Sequence, residues 1–409
     1  MEQNSKKLLH TPEGVRDYYT KEYAEKQAVE ERMTDILHRY GYRGIQTPTF
    51  EFFDVFSKEK GSVSSREMFK FIDRDGETLV LRPDITPAVA RCAAKYFREE
   101  DLPLRVCYCG STFVNHTGYQ GRLREQTQLG AELIGDETTD SEAEMIAMMA
   151  DCLLAAGLTE FQIELGNINF FQGLVEEAGL SEDQRLELRQ YMEDKNLFAA
   201  EDCLRQWGVS ESLQRTLTGM IELFGDTSCL AKARTLTKNP TCLAALDRLE
   251  KVYHILELYG KAQYVTFDLG LVGKYEYYTG VIFRAFTYGT GASIINGGRY
   301  DRLLAQYGKN AAAIGFGISM DALLSGMRSQ KLNLKGMMSD VILLYDRKRR
   351  TEAITVAAKY RADGRQIQMM KWYREKSLED YKQYALHHGF SEIWYLPANG
   401  ELQFWKEDI

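Results

Sequence analysis

The chain has 409 residues and a formal net charge of −8 at pH 7, with 44% hydrophobic and 27% charged residues. This is the composition of a globular protein that buries its own core, in one large domain with a smaller one or in two to three domains. Nucleic acids are bound through Lys and Arg, so the acidic balance argues against a nucleic-acid ligand.

Cysteine usage and apolar runs indicate the cellular compartment. The seven cysteines lack the spacing of a disulfide framework, and the Cys107-x-Cys109 pair has no second Cys/His pair at zinc-finger spacing. Reduced thiols are typical of the cytoplasm. No apolar run is long enough to span a membrane, and the polar stretch from Met1 to Gly14 is no signal peptide. We therefore expect a cytoplasmic protein with no membrane segment, no metal and no other cofactor.

Helix and strand signals alternate in the N-terminal part of the chain. Apolar residues recur at three-to-four spacing in Glu22–Arg39 and Gly41 follows as a C-cap, which predicts an amphipathic helix. The pattern then favours a strand at Glu77–Arg82 and a helix at Pro87–Phe97, with Thr86 as its N-cap. Three further elements are predicted: a strand within Arg105–Tyr108, a helix at Asp140–Ala156 and a strand at Phe161–Leu165.

The region from about residue 170 to 260 has a different character. Strand signals vanish there, and helical segments follow one another at short intervals. This predicts an all-helical insertion inside an α+β domain. The predicted helices are Phe171–Ala178, Ser181–Met192, Ala199–Gln206, Ser212–Phe224 and Leu243–Tyr259.

Strand signals return after residue 260. Gly297-Gly298-Arg299 indicates a turn into a helix at Tyr300–Tyr307, and Arg299 could face a phosphate or form a structural salt bridge. The other predicted elements are strands at Tyr264–Leu269, Tyr278–Phe286 and Ser293–Ile295, the apolar segment Ala313–Ile318 and a helix at Met320–Met327.

A small α/β domain is predicted at the C-terminus, after the polar linker Gln330–Ser339. We place a core domain at residues 1–330 and the small domain at residues 338–409. The predicted elements of the small domain are Asp340–Leu344 (strand), Arg350–Arg361 (helix), Gln366–Met370 (strand), Leu378–His388 (helix), and the strands Glu392–Leu396 and Leu402–Trp405.

Six segments carry short motifs in a fixed order. They are Thr11–Asp17, Arg66–Gly76 with Leu81–Thr86, Gly121–Gly135, Gly270–Gly280, Gly297–Asp301 and Ile314–Asp321. In this order and spacing they resemble the histidyl-tRNA synthetases, which are class II aminoacyl-tRNA synthetases. The resemblance implies an α+β fold in which an antiparallel sheet is flanked by helices, with the helical insertion and a C-terminal domain like a shortened anticodon-binding domain.

The resemblance also implies a pocket for free histidine. A site group left unpaired by a wrong ligand costs about 1–3 kcal/mol, so a pocket of this kind selects imidazole strongly. The residues that match the family's pocket are Asp84, Thr86 and Gln128 for the α-amino group, Glu132 and Tyr278 for the imidazole nitrogens, and Tyr277 and Tyr300 for the walls.

Two basic residues are candidates for anion contacts. Lys274 could reach the ligand carboxylate, although a solvated lysine in a turn is an equal alternative. Arg122 could contact an anion, although an exposed basic turn is the commoner meaning of such a residue.

Three arginines that synthetases of this family use at the reaction centre are absent. By the resemblance, their positions are occupied by Val114, Gly273 and Ala322. Loss of one group that stabilises charge in a transition state commonly lowers the rate by about 10²–10³. The combination of a kept histidine pocket and a lost phosphate clamp resembles the family of regulatory subunits of ATP phosphoribosyltransferase.

That family resemblance implies a non-catalytic protein. Its partner would be a short-form ATP phosphoribosyltransferase catalytic subunit, which performs the first step of histidine biosynthesis. L-Histidine would be the feedback effector, and a homodimer would form near Glu22–Phe56. No nucleic-acid or membrane partner is expected. The alternatives are a divergent histidine–tRNA ligase, or a module that senses uncharged tRNA or binds another protein.

Overall fold

A computed structural model describes residues 9–57, 63–116, 123–273, 277–332 and 341–406. These residues form two compact units, one of residues 9–16 and 32–332, the other of residues 17–31 and 341–406. The first helix, α1 (Thr20–Arg39), belongs to both units. No helix in the described ranges is long and apolar enough to cross a membrane.

The first unit is built on a nine-stranded sheet, counted over the described residues. Its strands follow the order β1-β5-β6-β12-β11-β10-β7-β9-β8, and neighbours from β5 to β7 are antiparallel. The strands are β1 (Arg43–Gly44), β5 (Leu104–Phe113), β6 (Glu125–Ile134), β7 (Phe161–Asn167), β8 (Phe224–Gly225), β9 (Val265–Asp268), β10 (Val281–Thr287), β11 (Ile295–Arg299) and β12 (Ala313–Ser319).

The strands of a separate three-stranded antiparallel sheet lie between β1 and β5 in the chain. It contains β2 (Phe50–Phe52), β3 (Lys70–Ile72) and β4 (Thr78–Leu81), with β4 in the middle. Two helices follow these strands, α2 (Asp54–Ser57) after β2 and α3 (Thr86–Tyr96) after β4. Thr86 is the first residue of α3 and Ile85 is its N-cap. The prediction that Thr86 caps the helix is therefore wrong, because its hydroxyl bonds to a distant carboxylate instead of a backbone amide.

A long helix, α4 (Thr139–Ala156), packs against β12. Its N-cap is Thr138, whose hydroxyl accepts from the amide of Ser141. It ends at Gly157, whose φ of +99° is readily adopted only by glycine. Twelve of its residues are buried, which makes it a central helix of the first unit.

The helical insertion lies between β7 and β9, with a two-residue strand inside it. The predicted helix Ser212–Phe224 is shorter than expected, because the chain turns at Met220–Glu222 and Phe224 enters β8. One further helix, Ser228–Leu236, was not predicted from the sequence. The six helices are α5 (Ile168–Glu177), α6 (Glu182–Glu193), α7 (Leu197–Gln206), α8 (Glu211–Gly219), α9 (Ser228–Leu236) and α10 (Pro240–Leu258).

The Gly297–Arg299 segment is strand and not a turn. A side chain at Gly297 would meet the ring of Phe283 at 2.3 Å, so the glycine serves close packing between strands. The helix predicted at Tyr300–Tyr307 is only a short 3₁₀ turn, Leu304–Tyr307. The glycine pair was misread because glycine signals a turn and a close strand approach equally well.

Arg299 forms a buried structural ion pair. The side chain is 3% exposed and its Nε donates to Glu142 at 2.6 Å. It also contacts Asp301 at 3.2 Å and donates to the carbonyl of Asp136. Of the two roles considered for Arg299, the structure supports the salt bridge and not a contact with phosphate.

The second unit contains a four-stranded sheet with the order β14-β13-β15-β16. Strand β13 (Val341–Tyr345) is buried on both faces, because Val341 and Leu343 pack in one core cluster and Ile342 and Leu344 pack in another. The elements are β13 (Val341–Tyr345), α12 (Arg350–Ala362), β14 (Ile367–Lys371), α13 (Leu378–His388), β15 (Glu392–Leu396) and β16 (Gln403–Lys406), and α11 (Met320–Ser329) closes the first unit.

Candidate functional site

A polar cavity of about 500 Å³ lies in the first unit, above strands β6 and β12. It is lined by all seven residues assigned to the histidine pocket. These are Asp84, Thr86, Gln128, Glu132, Tyr277, Tyr278 and Tyr300. The structure therefore brings together side chains that lie as much as 216 positions apart, from residue 84 to residue 300.

Glu132 is the fully buried acid of the cavity. Its Oε1 accepts hydrogen bonds from the hydroxyls of Thr86 at 2.7 Å and Tyr108 at 3.1 Å. Its Oε2 accepts from the hydroxyl of Tyr300 at 2.6 Å. Burial raises the pKa of Glu132 to about 8, although the three hydroxyl donors oppose that shift. Glu132 is therefore a firmly oriented acid that can hold or release a proton near neutral pH.

Asp84 is the second buried acid, with 4% exposure. Its Oδ1 accepts from the amide of Gln128 at 3.3 Å and from the backbone of Thr86 at 3.4 Å. Its Oδ2 accepts from the hydroxyl of Tyr277 at 3.1 Å. Burial raises the pKa of Asp84, and these hydrogen bonds work against the shift. The cavity thus has a pair of buried acids, each with hydroxyl or amide donors.

Gln128 presents an acceptor that the described residues leave unused. Its Nε2 donates to Asp84, whereas its Oε1 is buried and has no hydrogen-bond partner in the described part of the chain. An unpaired buried acceptor costs about 1–3 kcal/mol. The position beside Asp84 therefore favours a ligand that brings several N–H donors.

Glycines of β12 make room for these polar side chains. A Cβ at Gly315 would lie 1.6 Å from Oε2 of Glu132, and one at Gly317 would lie 2.2 Å from Nε2 of Gln128. Strand register pairs Gly315 directly with Glu132, whereas Gln128 is paired with Ser319 and lies diagonally across from Gly317. The alternating glycines in the sequence Ile314-Gly-Phe-Gly-Ile318 are therefore part of the site.

Three tyrosines form an aromatic wall. The ring centroid of Tyr277 lies 5.0 Å from that of Tyr278 and 5.8 Å from that of Tyr300, both edge-to-face. A side chain at Gly298 would meet the Tyr278 ring at 2.9 Å, so this glycine lets the ring lie against β11. A flat heteroaromatic ring fits such a wall by size and by edge-to-face contact.

Two of the predicted pocket residues make hydrogen bonds that their predicted roles did not include, and one residue that binds Glu132 was not predicted. Thr86 was assigned to the α-amino group, but its hydroxyl donates to Glu132. Tyr300 was assigned to the wall, but its hydroxyl also binds Glu132. Tyr108 was missed, although it is 5% exposed and binds the same carboxylate. Its place within a strand gave no sequence signal that separated it from a core tyrosine.

The other end of the cavity has little positive charge in the described residues. Val114 and Ala322 line it with short apolar side chains. Arg124 also lines it, and its guanidinium lies 3.8 Å from Glu13 and donates to the carbonyl of His116. Lys274 and Arg122, the two candidates for anion contacts, lie outside the described residues. Within the described ranges no group of His, Cys, Asp and Glu side chains could hold a metal ion.

Comparisons with known proteins show similarity along nearly the whole chain. The family model described as histidyl-tRNA synthetase matches residues 14–323. A relative from Acetivibrio thermocellus named "ATP phosphoribosyltransferase regulatory subunit" is 36% identical over 88% of this chain and 86% of its own length. A relative of the same name from Ruminiclostridium cellulolyticum is 35% identical over 96% of this chain and 94% of its own length.

Solved structures show the same fold. A structure from Bacillus halodurans titled as an ATP phosphoribosyltransferase regulatory subunit/histidyl-tRNA synthetase has a TM-score of 0.84 at 30% identity, covering 96% of this chain and 99% of that one. A histidyl-tRNA synthetase from Nostoc has a TM-score of 0.81 at 18% identity, covering 97% of both chains, and shows the fold alone. These neighbours confirm the predicted class II synthetase-like fold. With the cavity geometry and full-length similarity together, the chain belongs to the family of ATP phosphoribosyltransferase regulatory subunits.

Proposed function

We propose that this chain is a non-catalytic regulatory subunit that acts with a separate, short-form ATP phosphoribosyltransferase catalytic subunit. The complex would carry out the first step of L-histidine biosynthesis, and L-histidine bound in the cavity would be its feedback effector. The names of the full-length relatives support the partner. The polar cavity supports the effector.

The unpaired acceptor of Gln128 is the observation that carries the effector proposal. An α-ammonium group has three N–H donors and a positive charge. At this position it pairs the buried Oε1 of Gln128 and lies beside the carboxylate of Asp84. The cavity thereby gains a hydrogen bond that it lacks without a ligand, and loses the cost of an unsatisfied buried group.

Glu132 and the tyrosine wall support imidazole as the side chain of the ligand. The carboxyl group of Glu132 is held by three hydroxyls and can share a proton with a ring nitrogen. Tyr278 lines the same cavity. An apolar side chain of similar size would form no hydrogen bond with Glu132, which disfavours other amino acids.

The nucleotide end of the cavity supports the absence of ligase chemistry. Adenylation needs cations that stabilise charge developing on phosphate oxygens. Val114 and Ala322 occupy two of the family's arginine positions and offer no charge. The third position is Gly273, whose carbonyl accepts hydrogen bonds from Arg189. We infer that the chain does not activate histidine with ATP.

An exposed apolar sheet face supports a homodimer. Phe50 and Phe52 of β2 are 53% and 55% exposed, and Phe71 of β3 is 39% exposed. Register places all three on one face, because Phe50 lies opposite Leu81 and both Phe52 and Phe71 lie opposite Leu79. Contiguous exposed apolar residues of this kind mark an interaction surface. We infer that a second copy of the chain covers this face, of which Phe50 and Phe52 lie in the predicted dimer region and Phe71 lies outside it.

The compartment follows from the cysteines. The seven cysteines are all free thiols, and four of them are buried. Thiols persist in a reducing compartment. We infer a cytoplasmic location, where a histidine effector is also available.

The decisive experiment is reconstitution with a short-form ATP phosphoribosyltransferase catalytic subunit. We expect the two chains to co-purify, the catalytic activity to depend on this chain, and histidine to lower that activity. The variant Glu132→Gln should weaken the histidine effect at least tenfold while the complex still forms. Glu125→Gln, an exposed glutamate on the same strand, is the matched control and should behave like the wild type.

Two outcomes would contradict the proposal. One is that this chain neither binds the catalytic subunit nor changes its activity. The other is pyrophosphate exchange that requires both histidine and ATP, which would instead support a histidine–tRNA ligase.

A further inference from the structure

The helical insertion is hydrogen-bonded to the loop Gly270–Gly273, which precedes the tyrosine wall in the chain. Arg189 of α6 is 6% exposed, and its Nε donates to the carbonyl of Gly273 at 3.0 Å. Its terminal nitrogen donates to the same carbonyl. Gly273 lies four residues before Tyr277, whose hydroxyl binds Asp84. A buried cation on the insertion therefore holds the backbone just ahead of the histidine-pocket tyrosines.

The backbone of this loop is shaped for that contact. Gly273 has a φ of +80°, a conformation that costs a residue with a side chain about 1 kcal/mol or more. Leu271 and Val272 beside it are 5% and 1% exposed, so the loop is packed and not free in solvent. By the resemblance, Gly273 occupies the position of an arginine of the synthetase signature, and its carbonyl accepts hydrogen bonds from Arg189.

A second close contact joins the same loop to the insertion. A Cβ at Gly270 would lie 2.9 Å from the Cα of Ile221, so the two backbones nearly touch. The amide of Gly270 donates to Asp268 at 2.9 Å, which ties the loop to the end of β9. The described part of the loop, Gly270–Gly273, thus contacts the insertion at its first residue and at its last residue.

A cavity lies where helix α6 meets the loop Gly270–Gly273. This cavity of about 790 Å³ is lined by the end of α6, by loop residues Gly270–Gly273 and by Tyr278. Tyr278 and Asn296 line this cavity and the histidine cavity alike. Tyr278 therefore lies in the same cavity lining as the loop and the end of α6. If Tyr278 moves when a ligand binds, it moves next to both of them.

We propose that Arg189 is a positioning residue that couples histidine binding to the helical insertion. With histidine in the pocket, the loop is held in one position and Arg189 keeps α6 closed over it. Without Arg189, the pocket still has its polar groups, but the insertion no longer responds to the ligand. This inference rests on the proposed histidine effector site and adds an element that reports its occupancy.

The test is amide hydrogen exchange of the full chain with and without histidine, combined with calorimetric titration of histidine. For the wild type we expect histidine to slow exchange in residues 182–206 as well as in strand β6. In Arg189→Met, which keeps the length and packing of the side-chain stem, protection of residues 182–206 should be lost. Histidine should bind about five- to tenfold more weakly, as expected for a coupling of moderate size.

Two further variants make the result specific. Arg189→Lys keeps the positive charge but replaces the guanidinium by a single ammonium group. Its histidine affinity and its protection of residues 182–206 should lie between those of the wild type and Arg189→Met. Arg215→Met removes an arginine of α8 that is 79% exposed, and should match the wild type. Melting temperatures of all variants identify any loss of folding that is separate from coupling.

The possible outcomes separate the two proposals. If histidine binds the wild type but leaves exchange in residues 182–206 unchanged, or if Arg189→Met keeps full protection there, the coupling role is wrong and the effector site stands. If histidine fails to bind the wild type, the effector site itself is wrong.

Discussion

At the scale of single residues, Glu132 shows how burial and hydrogen bonding oppose each other. Removal from water favours the neutral acid, whereas three hydroxyl donors favour the carboxylate. The net effect raises its pKa to about 8 from an ordinary value of 4.5. A group of this kind binds a proton more tightly in the folded chain than in the unfolded chain. Its ionisation therefore opposes folding as the pH rises.

The first prediction concerns Glu132→Gln and pH. Glutamine resembles the neutral acid and cannot ionise, so it removes the unfavourable buried charge. Below about pH 4.5 the acid is neutral in both folded and unfolded chains, and the stability difference between variant and wild type should be constant. Between pH 4.5 and about 8 the wild type should lose stability relative to the variant. Each unit of pKa shift is worth about 1.4 kcal/mol at most.

Differential scanning calorimetry at pH 5 and pH 8.5 checks this prediction. The melting temperature of the variant should rise relative to that of the wild type at the higher pH. Glu125→Gln, in which an exposed glutamate of the same strand is replaced, should show no such change. An equal gap at both pH values would mean that Glu132 does not titrate in this range.

At the scale of elements, the small sheet β2–β4–β3 differs from the large sheet in what covers it. Glu51 and Val80 face inward and are buried, whereas Phe50, Phe52 and Phe71 face outward. Exposed apolar sheet faces of this size are rare in monomers because they favour association. In an ordinary half-buried strand the apolar residues face the core and the polar residues face solvent. Strand β2 has the opposite arrangement, because its two phenylalanines are exposed and its glutamate is buried.

The second prediction follows from that face. The double variant Phe50→Lys, Phe52→Lys places two charges in the proposed dimer contact and should convert a dimer into a monomer. Light scattering after gel filtration measures the mass directly. Phe198→Lys changes an 83% exposed phenylalanine of helix α7, which is not part of this sheet, and should leave the mass unchanged. A wild-type chain that is already monomeric would contradict the prediction.

At the scale of the whole molecule, the proposed function requires that a synthetase-like fold keep only the amino-acid half of its site. The end of the cavity proposed for histidine has buried acids and an unpaired acceptor, and the other end is lined by Val114 and Ala322. Ligands should therefore stabilise the chain unequally.

The third prediction is the outcome of a thermal-shift panel. L-Histidine at 100 times its dissociation constant should add about 2.7 kcal/mol to the free energy of unfolding. Other amino acids, ATP and tRNA should add none, because they find neither the matched partners nor the cations they need. A shift with ATP, or a larger shift with ATP and histidine together than with histidine alone, would contradict a site that has lost its nucleotide half.

The sequence was most informative where local pattern and packing agree. Helix α4 was predicted within one residue because its apolar period and Gly157 both signal it. Prediction failed at Gly297–Arg299, where glycine serves strand packing, and at Ser228–Leu236, which lies amid many short helices. Local signals cannot distinguish these cases, since the deciding neighbour is distant in sequence.

The sequence motifs, through their fixed order, predicted seven residues that the structure places around one cavity. Which of them would contact which could not be assigned, because a hydrogen bond depends on positions that only packing sets. The sequence by itself determined the class of fold and the chemical types of the residues that line the cavity. The tertiary structure alone decided that Tyr108 joins Thr86 and Tyr300 on Glu132, and that Arg189 reaches Gly273. Such pairs lie tens to hundreds of residues apart, and only folding brings their atoms within hydrogen-bonding distance.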